Sequence, residues 1–357
     1  MKVYIITIHC IHNFGSVLQS YALVRFLREH NYDAEIIDYC PDYYSRGRNA
    51  FKNMMSRILN LRHYWKQHKL FQQFINEEIP KTVNVYRTFD DLKSIGTENA
   101  IFIAGGDQLW NTFHSCGNDD AYKLTFAEGK FKLAYGTSMG RNTFSDDELQ
   151  ELSSKVTHFS SIGLRELSTV QLLKPYVEVP VYHAADPVLL LNKEAYRRFI
   201  GPDSIISEPY LLVYLARKSQ LLENTVSTIS KKLGLKVVLA SGFRKKCTCD
   251  YFLKSPGPKE LLNLIYYSNY VVSASFHASL FSILFEKQFA TLLPEKGTNT
   301  RIEDLLHFFN ISSRIVKTVN DEQLTEEKVN YADVTPKVMA FAEQSRINLL
   351  NALRNLD

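Results

Sequence analysis

The stretch Ser273-Ala274-Ser275-Phe276-His277-Ala278-Ser279 carries the strongest chemical signal in the chain. An apolar run stops, hydroxyls and an imidazole follow, and an amphipathic run begins. A helix that starts there presents free backbone N–H groups and the positive end of its dipole, which suits an anion. The same dipole would lower the pKa of a first-turn histidine, so His277 is expected to face a cleft as a neutral base, beside Ser275. A second such edge is Leu293-Pro294-Glu295-Lys296-Gly297-Thr298-Asn299-Thr300-Arg301. Lys296 and Arg301 supply charge there and Asn299 a hydrogen bond, which suits a phosphate or carboxylate. Both stretches also have plain readings, as a capping serine with a packed histidine and as an exposed loop.

The first half offers three more groups of this kind. Asn13-Phe14-Gly15-Ser16 is a turn whose Asn13 could meet a sugar hydroxyl. In Gly105-Gly106-Asp107-Gln108-Leu109-Trp110-Asn111 the glycines permit close backbone approach. There Asp107 and Gln108 bring polar groups and Trp110 a flat face for a sugar ring. Gly163-Leu164-Arg165-Glu166 adds an arginine that either serves a ligand or pairs with Glu166. No long glycine-rich phosphate loop, H-E-x-x-H or Ser-His-Asp order occurs, and no spacing marks a metal site. Cys247-Thr248-Cys249 lacks a second ligand pair and reads as two reduced loop cysteines.

Each of these groups follows a short apolar run, and that is how a parallel sheet places its chemistry. Lys2–His9, Ala34–Tyr39, Ala100–Ala104, Phe131–Tyr135, Ser161–Gly163 and Val181–Ala185 read as strands, with a helix over Val17–Glu29. After a polar link near residues 201–208 the grammar restarts. Tyr210–Leu215, Lys236–Ala240, Tyr270–Ala274 and Phe289–Leu293 are strands; Leu221–Leu233, Pro258–Tyr267, Ala278–Phe285 and Arg301–Phe309 are helices. Val338–Leu356 reads as one long helix. The expected fold is α/β: two doubly wound parallel-sheet domains facing a cleft, GT-B-like, with a C-terminal helix. The expected boundaries are 1–195 for an acceptor-side domain and 205–325 for a donor-side domain. The C-terminal helical segment 326–357 is expected to pack back toward the first domain.

Bulk properties set the limits. A chain of 357 residues suits two domains. Its net charge of +4 does not indicate a nucleic-acid partner. Five scattered cysteines argue against a secreted disulfide framework. The N-terminal MKVYIITIHC reads as a first strand rather than a signal peptide, and no run of about 18 apolar residues occurs. A cytoplasmic protein is expected. The helical, basic and aromatic stretch 43–80 leaves room for peripheral contact with the inner face of a membrane.

Taken together the motifs resemble the polysaccharide pyruvyl transferase family. The resembling pieces are Asn13–Leu23, Gly105–Asn111, Tyr135–Gly140, Arg165-Glu166, Asp186–Leu190, Ser275-Phe276-His277 and Arg301-Ile302-Glu303. They lie in the family's order and span most of the chain. The chain departs from the family pattern at Gly106, where serine is common, and at Ala274, where an acid is common. The resemblance implies transfer of a pyruvyl group from phosphoenolpyruvate to a sugar of a cell-surface polysaccharide precursor, capsule or exopolysaccharide. The products are a pyruvate ketal and phosphate, with no cofactor beyond the donor. It places His277 as base and Arg165 at the reacting centre. Ser275, Lys296, Asn299 and Arg301 then fall to the donor, and Asn13, Asp107, Gln108 and Trp110 to the acceptor, a free or lipid-linked sugar. The competing readings are a nucleotide-sugar glycosyltransferase of the same architecture and a non-catalytic protein of glycan assembly.

Overall fold

The computed structural model describes residues 1–44, 61–242, 244–293 and 300–355. Contacts divide the chain into two units. The first is Met1–Ala50, Ile75–Leu191 and Ala340–Asp357; the second is Phe51–Phe74 and Asn192–Met339.

The first unit is built on a parallel sheet of seven strands, in the order β3-β2-β1-β4-β5-β6-β7. These are β1 (Lys2–Ile6), β2 (Asp33–Tyr39), β3 (Lys81–Tyr86), β4 (Ile101–Gly105), β5 (Phe131–Thr137), β6 (Ile162–Leu164) and β7 (Val181–His183). The central strands are apolar on both faces, as a sheet covered on both sides requires. Val3, Ile5, Ile101, Phe102, Ile103 and Leu133 are all buried. Val3 stands opposite Ile101, and Ile5 opposite Ile36. Chain order reverses between β1 and β4. At such a switch point the flanking loops splay apart and leave a crevice at the carboxyl ends of the strands.

The second unit repeats the plan with five parallel strands, ordered β10-β9-β8-β11-β12. They are β8 (Tyr210–Tyr214), β9 (Lys236–Ser241), β10 (Tyr251–Lys254), β11 (Tyr270–Ser273) and β12 (Gln288–Thr291). The switch point lies between β8 and β11. Helices are closed by local chemistry. Ser219 caps the helix Gln220–Leu233 by accepting from Leu222 N, and Gly234, at φ +64°, ends it in the left-handed conformation glycine tolerates.

Two segments depart from the expected boundaries. The helix Leu61–Glu78 was expected within the first domain, yet its residues through Phe74 group with the second unit. Phe74 packs against Phe199, with ring centroids 5.1 Å apart, and Lys66 pairs with Glu260 at 3.1 Å. The final helix begins earlier than expected, at Tyr331, and carries Pro336 within it. Its residues from Ala340 group with the first unit: the Ser345 hydroxyl accepts from Ala185 N at 2.9 Å, and Arg346 Nε donates to Leu190 O at 3.0 Å. Among the described residues no helix is long and apolar enough to cross a membrane.

Candidate functional site

In the first unit the switch point gathers the loop after β1 and the loop after β4. The Asn13 carboxamide oxygen accepts from Gly15 N at 2.9 Å and Ser16 N at 3.3 Å, which caps the helix Phe14–Glu29. One turn in, the Ser16 hydroxyl donates to Asp107 Oδ2. Asp107 also accepts from Gln108 N at 2.8 Å through Oδ1. Gly106 and Asp107 both take left-handed backbone, at φ +71° and +55°. For Asp107 that conformation costs about 1–3 kcal/mol, a strain that tends to persist where function requires it. A side chain at 106 would be strained at this φ and would have to displace the Gln19 carboxamide, with a Cβ 3.3 Å from Arg165 Nη2.

Arg165 lies beneath this turn. Its Nε donates to Gly136 O at 2.6 Å and its Nη1 pairs with Asp186 Oδ2 at 2.8 Å; each of the two charged side chains is 1% exposed. Of the two sequence readings of Arg165, a ligand contact or a pair with Glu166, neither anticipated Asp186. Glu166 instead accepts from the Ser138 and Thr169 hydroxyls, because successive residues of a strand end point to opposite sides. Asp186 also caps the turn after β7, accepting from Val188 N at 2.9 Å. Arg165 is thus a buried ion-paired group bracing the turn that displays Asp107.

Trp110 also differs from expectation. It is 1% exposed, its Nε1 donates to Tyr122 O at 2.9 Å, and its ring meets Phe159. The structure makes it a core residue rather than an open stacking face. Gln108 is half-buried, and its side-chain oxygen accepts from Asn111 Nδ2 at 2.7 Å.

In the second unit β11 ends where sequence placed it. Ser273 Oγ donates to Tyr214 O at 2.7 Å and accepts from Ser275 N at 3.0 Å, which ties the strand end across the switch point. Ser275 caps the helix Phe276–Leu284 by accepting from Ala278 N at 3.3 Å. His277 follows in the first turn. It is only 6% exposed and packs edge-on to Phe276, so the imidazole is buried rather than open to solvent. The Arg301 guanidinium sits over the Phe276 ring, 5.5 Å from its centroid. His277 and Arg301 therefore both meet the Phe276 ring, in the first turn that Ser275 caps. Lys296 and Asn299 lie outside the described residues. A separate groove of about 560 Å³ in this unit is lined by Arg62, His63, Lys66, Phe252, Lys254 and Glu260.

Spacing did not reveal one further cluster. His9, from the loop after β1, reaches Asp38 near the end of β2, with Nε2 2.9 Å from Oδ1. Cys40 Sγ donates to the same oxygen at 3.2 Å, and Lys81 Nζ pairs with Oδ2 at 2.7 Å. Burial opposes a charge on His9, but its hydrogen bond to Asp38 wins and raises its pKa to about 9. Burial likewise opposes ionisation of Asp38, and the bonds from His9 and Lys81 hold it below the usual carboxylate range. Only a prior pairing of β1 with β2 and of β2 with β3 could have disclosed this cluster.

The chain matches the family model described as polysaccharide pyruvyl transferase over residues 13–295. No curated protein sequence matches it. Among solved structures it is similar to the UDP-N-acetylglucosamine 2-epimerase of Rickettsia bellii, with a TM-score of 0.56 at 12% identity, covering 99% of this chain and 96% of that one. It is also similar to the UDP-GlcNAc 2-epimerase of Methanocaldococcus jannaschii in complex with UDP-GlcNAc and UDP. There the TM-score is 0.52 at 13% identity, over 98% of this chain and 100% of that one. The UDP-GlcNAc 2-epimerase of Neisseria meningitidis bound to UDP-GlcNAc gives 0.54 at 10% identity, over 99% and 100%. These likenesses establish a GT-B-like α/β fold.

Proposed function

Because the chain belongs to the polysaccharide pyruvyl transferase family, we propose that it transfers a pyruvyl group from phosphoenolpyruvate to a sugar of a cell-surface polysaccharide precursor. The observation that carries the reading is the family match itself, whose span of residues 13–295 takes in the first strand-end cluster and Ser275 and His277 of the second.

The chemistry divides into two steps. In the first, a sugar hydroxyl oxygen bonds to C2 of phosphoenolpyruvate while C3 gains a proton and becomes a methyl group. The hydroxyl proton leaves to a base. In the second, a neighbouring hydroxyl bonds to C2, the bond from C2 to the phosphate oxygen breaks, and phosphate departs with that electron pair and takes up the second hydroxyl's proton. The net products are a cyclic ketal and phosphate.

His277 is the group we assign to take the hydroxyl proton. It stands at a helix start with Ser275, and Arg301 lies across Phe276, so donor phosphate and carboxylate have a dipole end and a cation within one turn. Lys296 and Asn299 complete the donor contacts in this proposal. On the first unit, Asp107 with Asn13 and Gln108 receives the sugar. Arg165 acts through the turn it braces, and we assign it as a positioning residue. The sugar is free or lipid-linked, and the basic groove at Arg62, Lys66 and Lys254 is where we place peripheral contact with an anionic membrane surface.

Calorimetry with phosphoenolpyruvate tests the donor assignment. Binding should weaken about 10-fold or more in Arg301→Ala, the loss of one charge-assisted contact. Unchanged affinity in Arg301→Ala and Lys296→Ala would reject it. Tight binding of a nucleotide sugar in place of phosphoenolpyruvate would favour a glycosyltransferase, the activity class of the competing reading.

A further inference from the structure

The ends of β1 and β2 hold a group of side chains that the proposed reaction does not use. His9 Nε2, one Asp38 oxygen and Cys40 Sγ all lie within 4.8 Å of one another. His9 and Asp38 are buried and Cys40 is half-buried. We propose that His9, Asp38 and Cys40 form a binding site for a divalent ion of the zinc class.

The donor set fits such an ion. Imidazole, thiolate and carboxylate are the three ligand types zinc takes, and three protein ligands leave a fourth position. A water can fill it. The site is also oriented from behind. His9 Nδ1 is 3.2 Å from Thr7 O, and a proton donated there leaves Nε2 to face Asp38. Lys81 holds the other oxygen of Asp38 at 2.7 Å. The backbone is fixed too, since Asp38 N donates to Thr82 Oγ1 at 3.0 Å and Cys40 N to Tyr86 O at 2.8 Å.

The fit can be checked by distance. The metal-free geometry is that of hydrogen bonds, 2.9 Å from nitrogen to oxygen and 3.2 Å from sulfur to oxygen. Tetrahedral zinc with ordinary bond lengths separates the same pairs by about 3.4 and 3.6 Å. Opening these pairs to that spacing takes side-chain shifts of about half an ångström. Binding replaces the proton on His9 Nε2 and the proton on Cys40 Sγ by one ion, and both protons go to solvent. No oxidant or reductant is involved.

The position gives the ion a role. His9 belongs to the loop that ends at Asn13, the cap of the helix that holds Ser16 against Asp107. An ion there would fasten that loop to β2.

The test is metal content and cobalt substitution on the full chain, kept reduced with a phosphine. Purified protein dialysed against metal-free buffer should retain about one equivalent of zinc. Cobalt(II) in its place should show thiolate-to-metal charge-transfer absorption. Cys40→Ser should abolish that absorption and weaken cobalt binding by at least about 100-fold, beyond what outer contacts contribute. Lys81→Met should weaken it about 10–100-fold, as loss of an outer contact does. Replacing Cys247 and Cys249 by serine should change neither. Far-ultraviolet dichroism on each variant confirms folding. If Cys40→Ser fails to fold, the wild-type measurement decides alone. Absence of zinc together with absence of a cobalt–thiolate band would overturn the proposal. So would a band that survives Cys40→Ser or vanishes in the Cys247/Cys249 variant.

Discussion

Replacing Asp186 by asparagine removes the carboxylate charge facing Arg165 and little else. The cap on Val188 N survives, because an amide oxygen accepts as the carboxylate did. What is lost is the 2.8 Å ion pair between two side chains that are each 1% exposed. Stranding one partner of a buried pair costs about 3–5 kcal/mol. Arg165→Met should cost a similar amount by stranding Asp186. The double variant Arg165→Met with Asp186→Asn strands no charge. It loses chiefly the donor to Gly136 O, a cost of about 1–3 kcal/mol. Both single variants should therefore be less stable than the double. The chain holds two tryptophans, Trp65, exposed, and Trp110, buried in the first unit. Urea titration in a Trp65→Phe background, read by Trp110 fluorescence, follows the first unit alone. A double variant whose loss equals the sum of the two singles would refute the reasoning. So would a single Asp186→Asn loss below about 1 kcal/mol, which is surface-pair behaviour.

Three further outcomes follow from the same geometry. His277→Gln, chosen because the imidazole is buried and truncation to alanine would also open a hole, should cut turnover about 10²–10⁴-fold at nearly unchanged melting temperature; full activity at unchanged melting would remove His277 from the reaction. Ser275→Ala should destabilise the second unit by about 0.5–2 kcal/mol through loss of its cap, measured by chemical denaturation. Burial pushes the Cys116 and Cys247 thiols up to about 12, so at pH 8 each is overwhelmingly protonated and unreactive; native alkylation read by mass spectrometry should leave both unmodified until the chain is denatured.

Much of the architecture was legible because both sheets are parallel. Apolar runs such as Ile101–Ala104 and Val271-Val272 sit in strands buried on both faces, and the polar residues after them fall on one edge. The edge strands β3 and β10 were not read. Val83 and Val85 of β3 point outward, Val83 fully exposed, so their alternation marks no core face. β10 is four residues long and only partly buried. The site was legible in position but not in burial. Asp186, the partner of Arg165, lies beyond β7, and no sequence spacing joins two strand ends that only the sheet makes neighbours. Trp110 looked like a surface platform because polar residues flank it. Tyr122, which accepts its N–H, comes from a turn well downstream.

One incubation tests pyruvyl transfer most directly. The protein is mixed with phosphoenolpyruvate carrying heavy oxygen in the bridging position and a panel of free and lipid-linked sugars. Product mass and the isotope content of the released phosphate are read together. Pyruvyl transfer predicts a sugar that gains one carboxyethylidene unit, with one labelled phosphate released per ketal, because the bond from C2 to oxygen is the one that breaks. Phosphate release without a ketal across the panel, or turnover of a nucleotide sugar with phosphoenolpyruvate left intact, would contradict it.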